Sequence, residues 1–402
     1  MKDHAAAHDL TPADRNEVRF PAIPLIAAMV SSLLVGGIAV AFGPLLPLLQ
    51  VRFVVSLPVA GTAVSAFYGG AVGGSLVILL GVELVRGGTL LAAAFTALGA
   101  GAIGIATASF WPILLASVFL LGIGFGSLDT GLNQFMARTE RRHRAARVNL
   151  LNAMYPIGAV LGPIVVTALG LARFSMGYVG VGVASLLGAV AMRGVVAPRT
   201  QRSGGSMPPV GSSRGNPAPG RAFTNLLVLA YVLEVGLEVG ITSWLASQLL
   251  AYGHSDSFAG LVTAGFWAAI ALSRFAIVPF THRSPLVPMI VACCTIATLA
   301  IAFAAVPALA PAAYIVTGLA VGPIFPTGLV WLSEARPKHS RGLSLLLVAS
   351  MIGGTVAPAI ISALVAIHGL VAIPYVLMGL SLAMSAAFAA AAVVGHHGIA
   401  PG

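Results

Sequence analysis

Charge is what this chain has least of. Only 8% of its 402 residues are Asp, Glu, Lys or Arg, against about 25% in ordinary soluble domains. A soluble core of this length cannot hide the remaining apolar surface, so a water-soluble fold is excluded. Cysteine is almost absent too: Cys293 and Cys294 stand side by side in an apolar run, which supports neither a disulfide framework nor a metal site, and both read as core packing. No Gly-Lys-Ser/Thr phosphate loop occurs, so an ATP-driven pump is unsupported. "GIGFG" at 122–126 has no strand before it and reads as helix packing. No catalytic constellation emerges. His4, His8, His254, His396 and His397 are scattered over termini and an outer loop, and neither a metal nor a cofactor is expected. The first twenty residues are polar and mixed in charge, unlike a cleavable signal peptide.

What the chain does have is hydrophobic length. Apolar residues make up 58% of it, in twelve stretches near 22–50, 58–81, 87–109, 111–137, 147–171, 175–197, 223–251, 257–280, 285–306, 308–333, 341–367 and 370–395, each about the 20 residues a membrane-spanning helix needs. The second six echo the first. "GIGFGSLDTGLNQFMARTERRHRAARVNLLNAMYPIGAVLGP" from Gly122 parallels "GLAVGPIFPTGLVWLSEARPKHSRGLSLLLVASMIGGTVAP" from Gly318. "AGTAVSAFYGG" from Ala60 parallels "AGLVTAGFWAA" from Ala259, setting Phe67 and Tyr68 against Phe266 and Trp267. Two matches at nearly one offset imply duplication of a six-helix unit.

The expected fold is therefore an all-α membrane protein of twelve transmembrane helices in two pseudo-symmetric six-helix bundles. Its expected parts are a tail over 1–21, a bundle over 22–197, a Ser/Gly/Pro/Arg-rich linker over 198–222, a second bundle over 223–395 and a tail over 396–402. The net charge of +10 reports topology rather than nucleic acid. Arg86, the run Arg138 to Arg147, Arg199 to Arg221, Arg283 and Arg336 to Arg341 fall on one side, with Arg52 and Arg173 on the other. The positive-inside rule then places both termini in the cytoplasm of a cell with this protein in its inner membrane.

Several segments carry a resemblance: "LDTGLNQFMA" at 128–137, "YVLEVGLEVGITSWLASQL" at 231–249, "FWAAIALSRF" at 266–275 and "GPIFPTGLVWLSE" at 322–334. On these the chain resembles the major facilitator superfamily over nearly its whole length, and within it the fucose permease-like, sugar:proton symporter branch. The resemblance implies alternating access, with the substrate between two repeats related by an axis along the membrane normal. It departs from the pattern in two places. The usual charged loop after the second helix is reduced to "LLGVELVRGG" at 79–88, where Glu83 and Arg86 alone stand in for its gating charges. The first helix holds no acid, so a two-carboxylate proton route does not carry over intact.

Ionisable groups inside the membrane cost roughly 2.5 to 3.5 kcal/mol each at a helix centre, and only Asp129, Glu234 and Glu238 sit there, with Arg274 nearer an end. Asp129 and Asn133, the latter a substrate-binding candidate, share one helix face. Asp129 is the proton-coupling candidate, with a fixed hydrogen bond to a facing Ser or Asn as the structural alternative. Tyr231, Glu234, Glu238 and Thr242 form a polar stripe unlikely to face lipid, with Tyr231, Glu234 and Glu238 as substrate-binding candidates. Glu238, with Gly236 and Trp244, matches the family-like pattern and suits the hydroxyls and ring face of a polyol, or equally a lipophilic cation. Trp244 reads as a ligand contact or as an interfacial anchor, and Glu234 as an internal hydrogen-bond partner or a ligand. Tyr68 and Trp267 line the cavity or pack helices. Arg274, with Glu83, Arg86 and Glu334, reads as gating or structural, Arg274 by pairing a facing acid or a helix C-terminus. With no Lys or Arg at mid-membrane, multiply anionic substrates are disfavoured. The Gly and Pro residues of "YPIGAVLGP" at 155–163 and "GGTVAP" at 353–358 read as close-packing, rocking elements.

These residues point to a non-enzymatic carrier whose partners are a small-molecule substrate, protons and the bilayer, complete within a monomer. Proton-coupled uptake of a sugar-like or other small neutral solute is the leading expectation. Proton-driven efflux of drugs or secondary metabolites, and a sensor that moves nothing, are the alternatives.

Overall fold

The computed structural model describes residues 22–81, 87–136, 141–193, 220–281, 286–335 and 340–397. These form α1 (Ala22–Phe53), α2 (Leu57–Gly81), α3 (Gly87–Thr107), α4 (Trp111–Met136), α5 (Arg141–Met192), α6 (Arg221–Ala251), α7 (Asp256–Thr281), α8 (Leu286–Ala302), α9 (Ala310–Val321), α10 (Ile324–Ala335), α11 (Ser340–His368) and α12 (Ala372–His397). Among the described residues, twelve segments are long and apolar enough to cross a membrane. An even number brings Ala22 and His397 to the same face.

Helices and spans do not correspond one to one. α5 carries the fifth and sixth spans, Ala153–Gly170 and Arg173–Met192, and the chain reverses at Gly170, whose φ of 58° and ψ of −170° lie where only glycine is free of strain. The expected single helix over 308–333 is broken into α9 and α10. The cause is local: Pro323 and Pro326 have no N–H to offer the carbonyls of Leu319 and Gly322 four residues before them. The linker expected over 198–222 lies largely outside the described residues.

Within the first half, α1 packs on the fifth span, α2 on α4, and α3 on α4 and α5; within the second, α6 packs on α11 and α12, and α8 on α9 and α12. Glycine sets the closest of these approaches. A Cβ on Gly158 would meet the Leu33 carbonyl, one on Gly162 the Gly37 carbonyl, and one on Gly353 the Val232 carbonyl. The repeat thus places a small residue at equivalent backbone crossings, α1 with the fifth span and α6 with α11, the geometry small residues permit in membranes.

The halves meet through α2 with α11, the fifth span with α7, and α1 with α6. At the end away from the termini they are pressed together. Gly43 abuts the Thr242 carbonyl, Gly61 abuts Trp244 and Ser362, and Gly260 abuts Thr167.

Candidate functional site

α6 is buried along most of its length, and its polar stripe divides into residues with different duties. Tyr231 is fully buried, donates its hydroxyl to the Phe325 carbonyl at 2.5 Å and packs on the rings of Phe325 and Phe388. It pins α6 to α10 and commits the hydroxyl proton there, which counts against the substrate contact expected of it. Glu234 is corrected as an internal hydrogen-bond partner. It is 0% exposed and neither carboxylate oxygen has a partner among the described residues, an arrangement costly for an ionised carboxylate.

Glu238, one turn further along α6, faces Arg274 of α7, with Nη2 3.4 Å from Oε1. Nε of Arg274 donates to the Gly322 carbonyl at 3.0 Å. That carbonyl is available because Pro326 cannot donate to it, so the break between α9 and α10 supplies the acceptor that orients the guanidinium. The guanidinium thus sits against Glu238 of the polar stripe, the pairing with a facing acid expected of Arg274. Cα–Cβ bonds tilt toward a helix N-terminus, and α7 begins at the end away from the termini. The long side chain therefore leans back along α7 toward Glu238. Its charge is not free for an anion, because Glu238 shares it.

Above this pair, Trp267 Nε1 donates to Thr242 Oγ1 at 3.1 Å, and Thr242 Oγ1 donates to the backbone carbonyl of Glu238 at 2.7 Å. The ring of Tyr155, from the fifth span, lies edge-on to Trp267 with centroids 6.0 Å apart. Tyr155 also lies within electrostatic range of Tyr68, Asp129, Glu238 and Arg274, and Tyr68 within range of Glu238. Sequence reasoning passed over Tyr155. The available signal was a phenol directly before Pro156, in a segment otherwise built of Gly and aliphatic residues.

Asp129 on α4 is half-buried. Asn133 Nδ2 bonds its backbone carbonyl at 2.9 Å, and among the described residues nothing bonds its carboxylate. The hydrogen bonds that fasten α4 to α2 come from its neighbours: Ser127 Oγ to the Gly74 carbonyl and Thr130 Oγ1 to Ser75 Oγ. A structural lock through the Asp129 carboxylate thus has no partner here.

Trp244 is 0% exposed and lies, with Ser362 of α11, against Gly61 of α2, its Nε1 unpaired among the described residues. It is not the interfacial anchor considered from the sequence, since an anchor keeps contact with the headgroup level. Phe67 packs among Phe42, Tyr68 and Phe125, and Tyr68 lies on Gly354. Glu83 and Arg86 lie outside the described residues. Glu334 falls in α10, its side chain outside those described.

Tyr68 and Tyr155 of one half thus stand near Glu238, Trp267 and Arg274 of the other, with Asp129 within electrostatic reach of Tyr155. The set offers carboxylate acceptors, phenol and guanidinium donors and an indole face, with one internally compensated charge pair. The model of the Major Facilitator Superfamily matches residues 26–247. The chain belongs to the major facilitator superfamily. Its architecture agrees: solved structures of similar fold include a peptide transporter, POT (TM-score 0.73, 15% identity, covering 92% of this chain and 95% of that one). The nucleoside transporter NupG is similar as well (TM-score 0.71, 12% identity, 92% and 99% covered), as is a D-xylose-proton symporter (TM-score 0.67, 15% identity, 92% and 96%). No curated protein matches the chain in sequence. As a major facilitator it is a multi-pass membrane protein with a transporter fold.

Proposed function

We propose that this major facilitator works by alternating access as a proton-coupled importer of a small, neutral, hydroxylated solute of the sugar type, with Asp129 as the coupling site. The observation that carries the proposal is the nearness of Tyr68 and Tyr155 to Glu238, Trp267 and Arg274 between the two halves, with Asp129 within electrostatic reach of Tyr155. A polyol needs donors, acceptors and an apolar ring face at once, and this set offers all three. A multiply charged anion would need positive charge beyond the one guanidinium, which Glu238 compensates. That a D-xylose-proton symporter is among the similar structures adds support for the substrate class.

Asp129 suits coupling because its carboxylate is half-buried and unbonded. A carboxylate wetted from one side at a time exchanges its proton with that side alone, which is what coupling to rocking requires. Glu83 and Arg86, as stand-ins for the family's loop charges, and Glu334 remain gating candidates. The distribution of Arg supports placing the termini in the cytoplasm and the chain in the inner membrane, and one chain, holding both halves, suffices as the working unit.

Asp129→Asn in proteoliposomes tests the coupling. The variant is expected to keep exchange of labelled solute across the membrane while losing accumulation driven by a pH gradient. Undiminished accumulation would remove Asp129 from the mechanism. Proton-driven efflux is the competing reading, and it is distinguished by solute and proton moving in opposite directions.

A further inference from the structure

A groove of about 220 Å³ runs between α1 and the two spans of α5, on the outside of the first half and apart from the cluster above. Its walls include Leu34, Ile38, Leu161, Val165, Phe174 and Tyr178, and its floor is opened by glycines such as Gly37 and Gly162. Along α1 the lining extends from Leu33 to Leu48, about 22 Å of helix, more than half of a hydrocarbon core of about 30 Å. Leu161 and Val165 are exposed, so the groove opens sideways toward lipid.

Only one lining side chain is polar. Tyr178 is 6% exposed, and its hydroxyl has no hydrogen-bond partner among the described residues. A buried phenol normally finds one, and leaving the group unpaired in an apolar setting is costly. A turn and a half beyond it, at the end away from the termini, stand two cations. Arg173 is exposed. The guanidinium of Arg52 lies 4.9 Å over the Phe174 ring and donates to Ser175 Oγ and to the carbonyls of Ala106 and Ala108. No carboxylate among the described residues compensates it.

From the membrane surface inward the order is cation, lone hydroxyl donor, hydrocarbon trough. A glycerophospholipid presents the complementary order: phosphate, ester carbonyl, acyl chain. We propose that this groove binds one diacyl phospholipid from the leaflet opposite the termini, its chain in the trough, its ester carbonyl accepting from the Tyr178 hydroxyl and its phosphate facing Arg52 and Arg173. Such a lipid would fill the space between α1 and the hairpin of the fifth and sixth spans, and complete a surface that the protein alone leaves hollow.

Native mass spectrometry of the detergent-purified full chain, given a diacyl phosphatidylglycerol and its dialkyl ether analogue in equal amounts, tests the assignment. The ether lipid keeps charge and chains but has no ester carbonyl. The unaltered protein is expected to retain one ester lipid, favoured over the ether about fivefold, the scale of a single net hydrogen bond. Tyr178→Phe should remove that preference while leaving the protein folded. Val165→Trp, which fills the trough from its lipid-facing side, should lose both lipids. Equal retention of ester and ether by the unaltered protein, a preference that survives Tyr178→Phe, or retention undiminished by Val165→Trp would each overturn the proposal.

Discussion

Arg274 pairs with Glu238 while a second acid, Glu234, stands one turn away on α6, and that asymmetry gives a quantitative prediction. Its contact with Glu238 is 3.4 Å with the arginine side chain 29% exposed and the glutamate 8%. At an effective dielectric near 20 the Coulomb attraction at this distance is about 5 kcal/mol. Desolvation and the partial exposure of the arginine offset much of it, and truncating one partner of a buried pair typically costs 3 to 5 kcal/mol. A value of about 2 kcal/mol is therefore expected here for Glu238→Gln. Glu234 lies one turn away on α6 without a hydrogen bond to the guanidinium, so in that variant Arg274 still has an acid nearby. Arg274→Gln is different: it strands both Glu234 and Glu238 and empties the bond to the Gly322 carbonyl. It should cost more than Glu238→Gln, by about 1 kcal/mol or more, the scale of one further hydrogen bond. The double variant should be less destabilised than the sum of the two singles. Reversible unfolding of the purified protein in mild detergent measures all three. Equal losses for the two singles, or strict additivity in the double, would refute the shared-arginine reasoning.

The other expectations follow from single contacts. Tyr231→Phe removes the bond to Phe325 and should lower stability by about 1 kcal/mol while leaving solute affinity unchanged; an affinity change measured by ligand-induced thermal shift would return Tyr231 to the binding site. Gly353→Val drives a side chain into the Val232 carbonyl and should abolish monodisperse protein on size exclusion, whereas Gly73→Ala, with nothing within 4 Å of its Cβ, should elute as the unaltered protein does. Tyr155→Phe should weaken solute binding severalfold in equilibrium binding to purified protein, and unaltered affinity would confine Tyr155 to packing. Pro326→Ala returns an N–H to the Gly322 carbonyl, and should make Arg274→Gln less damaging in the unfolding assay than it is in the unaltered background.

The spans and their duplication were legible in the sequence because membrane insertion depends on long apolar runs, which survive any detail of packing. Two breaks were less visible. The reversal at Gly170 and the interruption between Val321 and Ile324 are set by one glycine and two prolines inside segments that remain apolar throughout, so hydropathy does not register them. The candidate site was only half legible. Asp129 and Glu238 stood out as rare charges, but the reach of Arg274 depends on the direction of its Cβ and on a carbonyl freed by Pro326, neither of which its position along the helix reports. The burial of Trp244 depends on Gly61 and Ser362, residues far away in the chain. Tyr155 carried no charge and no repeat signal, and only the meeting of the fifth span with α7 gives it neighbours worth noticing.

Proton movement that accompanies solute movement is the central claim, and internal pH in proteoliposomes reads it directly. With purified protein in sealed vesicles carrying a pH-sensitive dye, sugars, polyols, amino acids and lipophilic cations are added outside one at a time. The account predicts that a neutral, hydroxylated solute acidifies the lumen and that Asp129→Asn abolishes the signal. Alkalinisation on entry of a cation, or solute entry with no change in pH, would contradict it.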